Sequence, residues 1–251
     1  MIEAIASIII GVMPCIVWLL FYLSQDPHPE KISKILEVYF LGGLTILPAL
    51  FLEIVLNPIC EIQGIFLALF LCSIGIGIIE EGMKLLPVKF RVLNSPHFDE
   101  PFDAIFYMIV SSLGFASLEN LFAILKEEYI FPDAFVLTLI RFISAIFLHT
   151  LASGLFGFFI ALSIKEGKKI YCFLGFTLAS FAHAIYNLLV GLGKWQKEGI
   201  LIKNKTLSNI LNIPSLPFWP FCFVLVLGIL IIFLILKVKR VPSVCKIKRN
   251  G

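Results

Sequence analysis

The sequence predicts an all-α fold, a polytopic transmembrane helical bundle of about seven spans forming a single membrane-embedded domain. Three observations carry that expectation. Of the 251 residues, 59% are hydrophobic and 15% charged, where a soluble domain has about a quarter charged. Apolar runs long enough for a crossing recur along the chain, and about 20 residues suffice for each. Basic residues gather on alternate connections, following the excess of Lys and Arg in cytoplasmic loops. This leaves no room for a soluble domain beside the spans, and no basic face suits nucleic acid.

The spans are expected at 2–24, 35–56, 63–88, 103–126, 133–164, 169–193 and 218–237. The first, "IEAIASIIIGVMPCIVWLLFYLS", resembles a secretory signal only in hydrophobicity. It lacks a positive lead-in, carries Glu3 and is too long, so a retained span is expected. The third and fifth runs exceed the minimum, which predicts tilt or a kink. An N-out, C-in orientation puts fourteen Lys and Arg residues on the cytoplasmic side and five outside, with Arg141 inside a span. The chain is thus expected to be a multi-pass protein of the cell membrane. The connection 194–217 is amphipathic and Pro-terminated, expected outside as a surface segment or lid, and 238–251 is a basic cytoplasmic tail. The six cysteines are scattered without a CxxC pair, which favours small packing residues over a disulfide framework or thiolate metal site.

Ionisable residues expected at membrane depth are Glu53, Glu80, Glu81, Lys84, Glu119, Arg141, His149 and His183. Such residues usually face a bundle interior and mark function. In "IEEGMK", adjacent carboxylates point about 100° apart around the helix. Lys84 lies i+4 from Glu80 and i+3 from Glu81, within reach of either. One acid at a reaction centre with the other held by Lys84 is one reading; a salt bridge at the membrane edge is the other. Ser73 and Gly77 place small residues ahead of Glu81, allowing another helix to approach. In "FASLEN", Glu119 has no Lys or Arg within a turn and needs a partner from another helix. His149 rises from the stripe Ala145, Ser153, Gly157, and His183 from Gly175, Ala179, Asn187. Asn187 is placed to fix the tautomer of His183. Arg141 can neutralise a carboxylate, hold a peptide carbonyl or anchor its helix at the outer interface.

Two histidines with a glutamate, namely Glu119, His149 and His183, suit catalytic Zn2+ with one position left for water. A remaining glutamate can move the proton from that water to the leaving amine. "HFDEPFDAI" has a structural explanation: Asp99 or Glu100 caps a helix with Pro101 in its first turn, and Asp103 is left out of the catalytic set with them.

These motifs, "EEGMK", "FASLEN", "FDEPFDAIFY" and the two histidine segments, resemble the PrsW family of intramembrane proteases over about residues 75–190. They are related to those of the CAAX prenyl endopeptidases. The resemblance implies a catalytic set of Glu80, Glu81, Glu119, His149 and His183, supported by Lys84, Asn120 and Asn187, within a core of about 63–193. It also implies a membrane-anchored protein substrate, such as an anti-sigma factor, cleaved near the extracytoplasmic side. Metal-assisted and metal-free glutamate–histidine mechanisms are both compatible with it. Arg141 or Asn120 can stabilise the oxyanion. The competing function is a proton- or cation-coupled transporter using the same buried groups. A third option is an assembly factor with a satisfied polar core.

Overall fold

The computed structural model describes residues 2–24, 30–61, 65–96, 98–126, 133–197 and 219–239, and these are helical throughout apart from short turns. The helices are α1 (Ile2–Ser24), α2 (Ile32–Leu44), α3 (Ile46–Glu61), α4 (Ile65–Arg91), α5 (Pro101–Lys126), α6 (Asp133–Ile143), α7 (Ala145–Glu166), α8 (Lys169–Lys197) and α9 (Trp219–Lys239). The α2–α3 and α6–α7 pairs each form one interrupted rod, so the described residues make seven rods. Four stretches are long and apolar enough to cross a membrane, Ile32–Pro58, Pro101–Leu125, Ala134–Glu166 and Lys169–Gly193, and Ile8–Ser24 and Trp219–Phe233 are shorter apolar helices. Most of the expected 194–217 connection, and the tail beyond Lys239, lie outside the described residues.

Both interruptions have local causes. Pro48 sits in the first turn of α3, where it lacks an N–H and its ring crowds the carbonyl four residues back. Thr45 fills the break, its hydroxyl donating to Gly42 O at 2.6 Å. The second interruption, at Ser144, is a kink in the run where tilt or a kink was expected. Ser144 leaves helical geometry (φ −122°, ψ −82°). The indole of Trp18 donates to Phe142 O at 3.1 Å, which satisfies a carbonyl at the break.

The core is centred on α5, whose residues Ala104 to Val110 are all buried. Its largest interface is with α7, and it also packs on α2, α1 and α4, while α4 packs on α8 and α7 on α8. Small residues make these approaches possible. A Cβ on Gly114 would lie 1.9 Å from Tyr39 O, and one on Gly77 would lie 2.5 Å from Ser180 O. Gly77 is therefore the small residue through which α8 reaches α4, as its place in the sequence suggested. Gly167, at φ 66°, takes the left-handed conformation that closes α7 and turns the chain directly into α8. Outward residues such as Phe51, Leu139 and Ile229 are exposed, a surface suited to lipid.

Two expectations change. Cys72 is disulfide-bonded, whereas Cys15, Cys172 and Cys222 are free; chain spacing carries no information on cysteines that meet through folding. At the start of α5 the capping group is Asp103, reaching back to accept from the backbone N–H of Asp99 (2.9 Å) and Glu100 (2.8 Å). Pro101 stands at the first helical position, as expected.

Candidate active site

The triad of α4 lies in the bundle interior, which rules out the membrane-edge salt bridge. Lys84 and Glu81 are fully buried and Glu80 is 7% exposed. An ammonium has three N–H donors and no acceptor. Those of Lys84 reach Glu80 Oε2 (3.2 Å), Glu81 Oε1 (2.8 Å) and His149 Nδ1 (2.7 Å). Its Nζ also stands 4.8 Å from the centre of the Phe115 ring, an added cation–π contact.

These donors assign the histidine tautomers. Because Lys84 can only donate, His149 Nδ1 accepts. The proton therefore sits on Nε2, which donates to Glu119 Oε2 at 2.7 Å. His183 Nδ1 lies 2.9 Å from Glu81 Oε1; the carboxylate accepts, so Nε2 of His183 keeps its lone pair. The two rings meet edge to face, with centroids 5.0 Å apart. The unprotonated nitrogens, His149 Nδ1 (already accepting from Lys84) and His183 Nε2, lie 3.9 Å and 3.6 Å from Glu80 Oε2.

The five remaining polar positions behave differently. Glu81 accepts three bonds, since Ser153 also donates to its Oε2 at 2.9 Å. Glu119 finds its interhelical partner in Arg141 of α6, with Nη2 2.8 Å from Oε1. The Nε of Arg141 donates to Asn120 Oδ1, and Asn120 Nδ2 donates to Gly11 O at 3.3 Å. Asn187 is half-buried and makes no hydrogen bond among the described residues. The contact expected of it, to His183, is made by Glu81 instead.

Three side chains offer ligand atoms within 4.8 Å of one another: Glu80, His149 and His183. Glu119 was the carboxylate expected with the two histidines, but it faces the opposite nitrogen of His149. The donor set fits zinc, being two imidazole nitrogens and one carboxylate oxygen. The orientation fits too. Each histidine gives its other N–H to a carboxylate, Glu119 or Glu81, as ligating histidines usually do. Lys84 competes for this place, an ammonium already set against two of the three donors.

A cavity of about 600 Å³ opens onto this cluster between α3, α4 and α5. Glu80 and Glu119 line it, as do Glu53, Ile46, Leu50, Phe115 and Phe122. Glu119 is the more accessible, its side chain 31% exposed. Sequence reasoning missed the hydrogen bond from Ser153, which had looked like a packing position, and the meeting of Lys84 with His149. Neither leaves a signal in chain spacing.

The pattern of the family described as PrsW family intramembrane metalloprotease matches residues 30–232, most of the chain. The chain belongs to the PrsW family. Among its relatives, Protease PrsW of Geobacillus kaustophilus is 30% identical over 190 residues, covering 74% of this chain and 80% of the relative. Protease PrsW of Bacillus subtilis is 30% identical over 195 residues, covering 76% and 85%. That of Clostridioides difficile is 22% identical over 187 residues, covering 72% and 78%. No solved structure matches. PrsW membership makes this chain a peptidase of the membrane. The motifs that resembled the PrsW pattern, "EEGMK", "FASLEN" and both histidine segments, all converge on the cluster described above.

Proposed function

We propose that this protein is an intramembrane endopeptidase that hydrolyses a peptide bond of a membrane-anchored protein, an anti-sigma factor being one such substrate class. The observation that carries the reading is that Glu80 and Glu119 both border the cavity while one nitrogen each of His149 and His183 lies 3.9 Å and 3.6 Å from Glu80 Oε2. Family membership favours hydrolysis over the transporter that the same buried groups would also serve.

Glu80, His149 and His183 are the residues that would hold zinc. Zinc, when bound, would polarise the scissile carbonyl and acidify the attacking water. Glu119 orients that water: its Oε1 is ion-paired with Arg141 and its Oε2 accepts from His149, and each oxygen keeps capacity for a further bond. It takes the proton at a free lone pair and returns it to the leaving amine. Arg141, held by Asn120 and Glu119, supplies positive charge beside the developing oxyanion. Glu81 fixes His183 and Lys84 without reaching the cavity, and Lys84 balances the charge of the two neighbouring carboxylates.

The position of Lys84 favours a second reading, of the glutamate type. There the ammonium stays among the donors and Glu80 Oε2 accepts the proton from water. In either reading the protein lies in the cell membrane with its N-terminus outside and its C-terminus in the cytoplasm. The test is cleavage of a membrane-anchored substrate by the purified protein in bilayers, with Glu80→Gln, Glu119→Gln, His149→Ala and His183→Ala made singly. Cleavage at the wild-type rate by all four variants would defeat the proposal.

A further inference from the structure

The cavity beside the cluster has a third carboxylate on its wall, Glu53 of α3. Ile46, Leu50 and Glu53 all line it, and their i, i+4, i+7 spacing makes one stripe of the helix face the opening. The other two acids there are matched, Glu80 by Lys84 at 3.2 Å and Glu119 by Arg141 at 2.8 Å. Glu53 is half-buried and takes part in no hydrogen bond or ion pair among the described residues. It is not a member of the Glu80, His149 and His183 donor group. A carboxyl at membrane depth is costly unless it faces a wet cavity or a partner, and Glu53 faces this cavity, where an entering basic group can pair with it.

We propose that Glu53 is a specificity-determining residue that selects substrates carrying a Lys or Arg close to the scissile bond. This rests on the peptidase reading above. The wall suits such a side chain: Ile46, Leu50 and Phe122 offer apolar surface to its aliphatic stem, and long basic side chains bury their stems in this way. Its charged head then pairs with Glu53 away from water, where Coulomb attraction is stronger. An acidic side chain in that place meets the carboxylate of Glu53 with no cation paired to it among the described residues, so repulsion rejects the wrong substrate as attraction selects the right one.

The experiment uses purified full-length protein in lipid bilayers and a family of transmembrane-segment peptides. They are identical except for Lys, Gln or Glu placed in turn at each position flanking the cleaved bond. At one position wild type should prefer Lys to Gln by about tenfold in kcat/KM, the scale of a hydrogen bond to a charged group, and should disfavour Glu. Glu53→Gln should equalise Lys and Gln while still cleaving both, and Glu53→Lys should reverse the order toward Glu. Melting temperatures of both variants near wild type would exclude misfolding. Cleavage with the same charge preference in wild type and Glu53→Gln would overturn the proposal and leave the peptidase reading standing. Failure of wild type to cleave any peptide would overturn both.

Discussion

The ammonium of Lys84 lies 2.7 Å from Nδ1 of His149, with both side chains almost completely buried. This contact joins the α4 motif to the first histidine segment and places one positive charge among the groups that would otherwise receive a metal. It also predicts unequal consequences for neighbouring substitutions.

Replacing Lys84 by Met removes the ammonium 2.8 Å from Glu81. Breaking a buried ion pair from one side costs about 3–5 kcal/mol, so Lys84→Met should unfold at a markedly lower temperature in detergent or fail to accumulate. A melting temperature equal to wild type would mean that the pairing contributes nothing to stability.

Glu80 and Glu81 are adjacent, yet only Glu80 reaches the cavity. Glu80→Gln should lower the cleavage rate by about 10²-fold or more with little change in melting temperature. Glu81→Gln should lower both, because three donors converge on that carboxylate. Paired cleavage and unfolding measurements separate the two, and identical profiles would remove the distinction.

Ser153→Ala deletes one of the three donors to Glu81. The expected loss is about 1.5–3 kcal/mol, the range for hydrogen bonds to charged groups, with His183 still anchored and cleavage retained. Denaturant titration of the purified variant checks the magnitude, and an abolished reaction at full stability would show that Ser153 acts in catalysis.

Gly77→Ala introduces a methyl whose carbon would lie 2.5 Å from Ser180 O. Backbone cannot yield as a flexible side chain does, so α4 and α8 must separate at about 1–3 kcal/mol. Since Glu81 and His183 sit on those two helices at 2.9 Å, cleavage should fall too. Normal activity and stability in this variant would show that the interface tolerates a wider spacing.

Zinc and glutamate-type chemistry separate on chelation. If Glu80, His149 and His183 hold zinc, a chelator that reaches the cavity should abolish cleavage and added zinc should restore it, with one equivalent of metal in the purified protein. Unchanged activity in metal-free protein would select the reading in which Lys84 remains in place.

The sequence made much of this site legible. Glu119 lacked a charged neighbour within a turn, so its partner had to come from another helix, and Arg141 of α6 meets it. Gly77 marked a close helix approach, and α8 is the helix that takes it. One turn of spacing places Asn187 near His183 without deciding which partner His183 prefers, and Glu81 makes the contact. Depth and residue type do not tell which nitrogen of His149 a glutamate faces, and Glu119 stands at Nε2.

Membrane class, all-helical architecture and the short roster of buried polar groups follow from composition and periodicity alone, since an apolar solvent admits few ways to satisfy a backbone. Which carboxylate meets which histidine was decided only by the packed bundle. That assignment depends on how each helix is rotated about its axis and on the break at Ser144, both settled by contacts between segments distant in the chain.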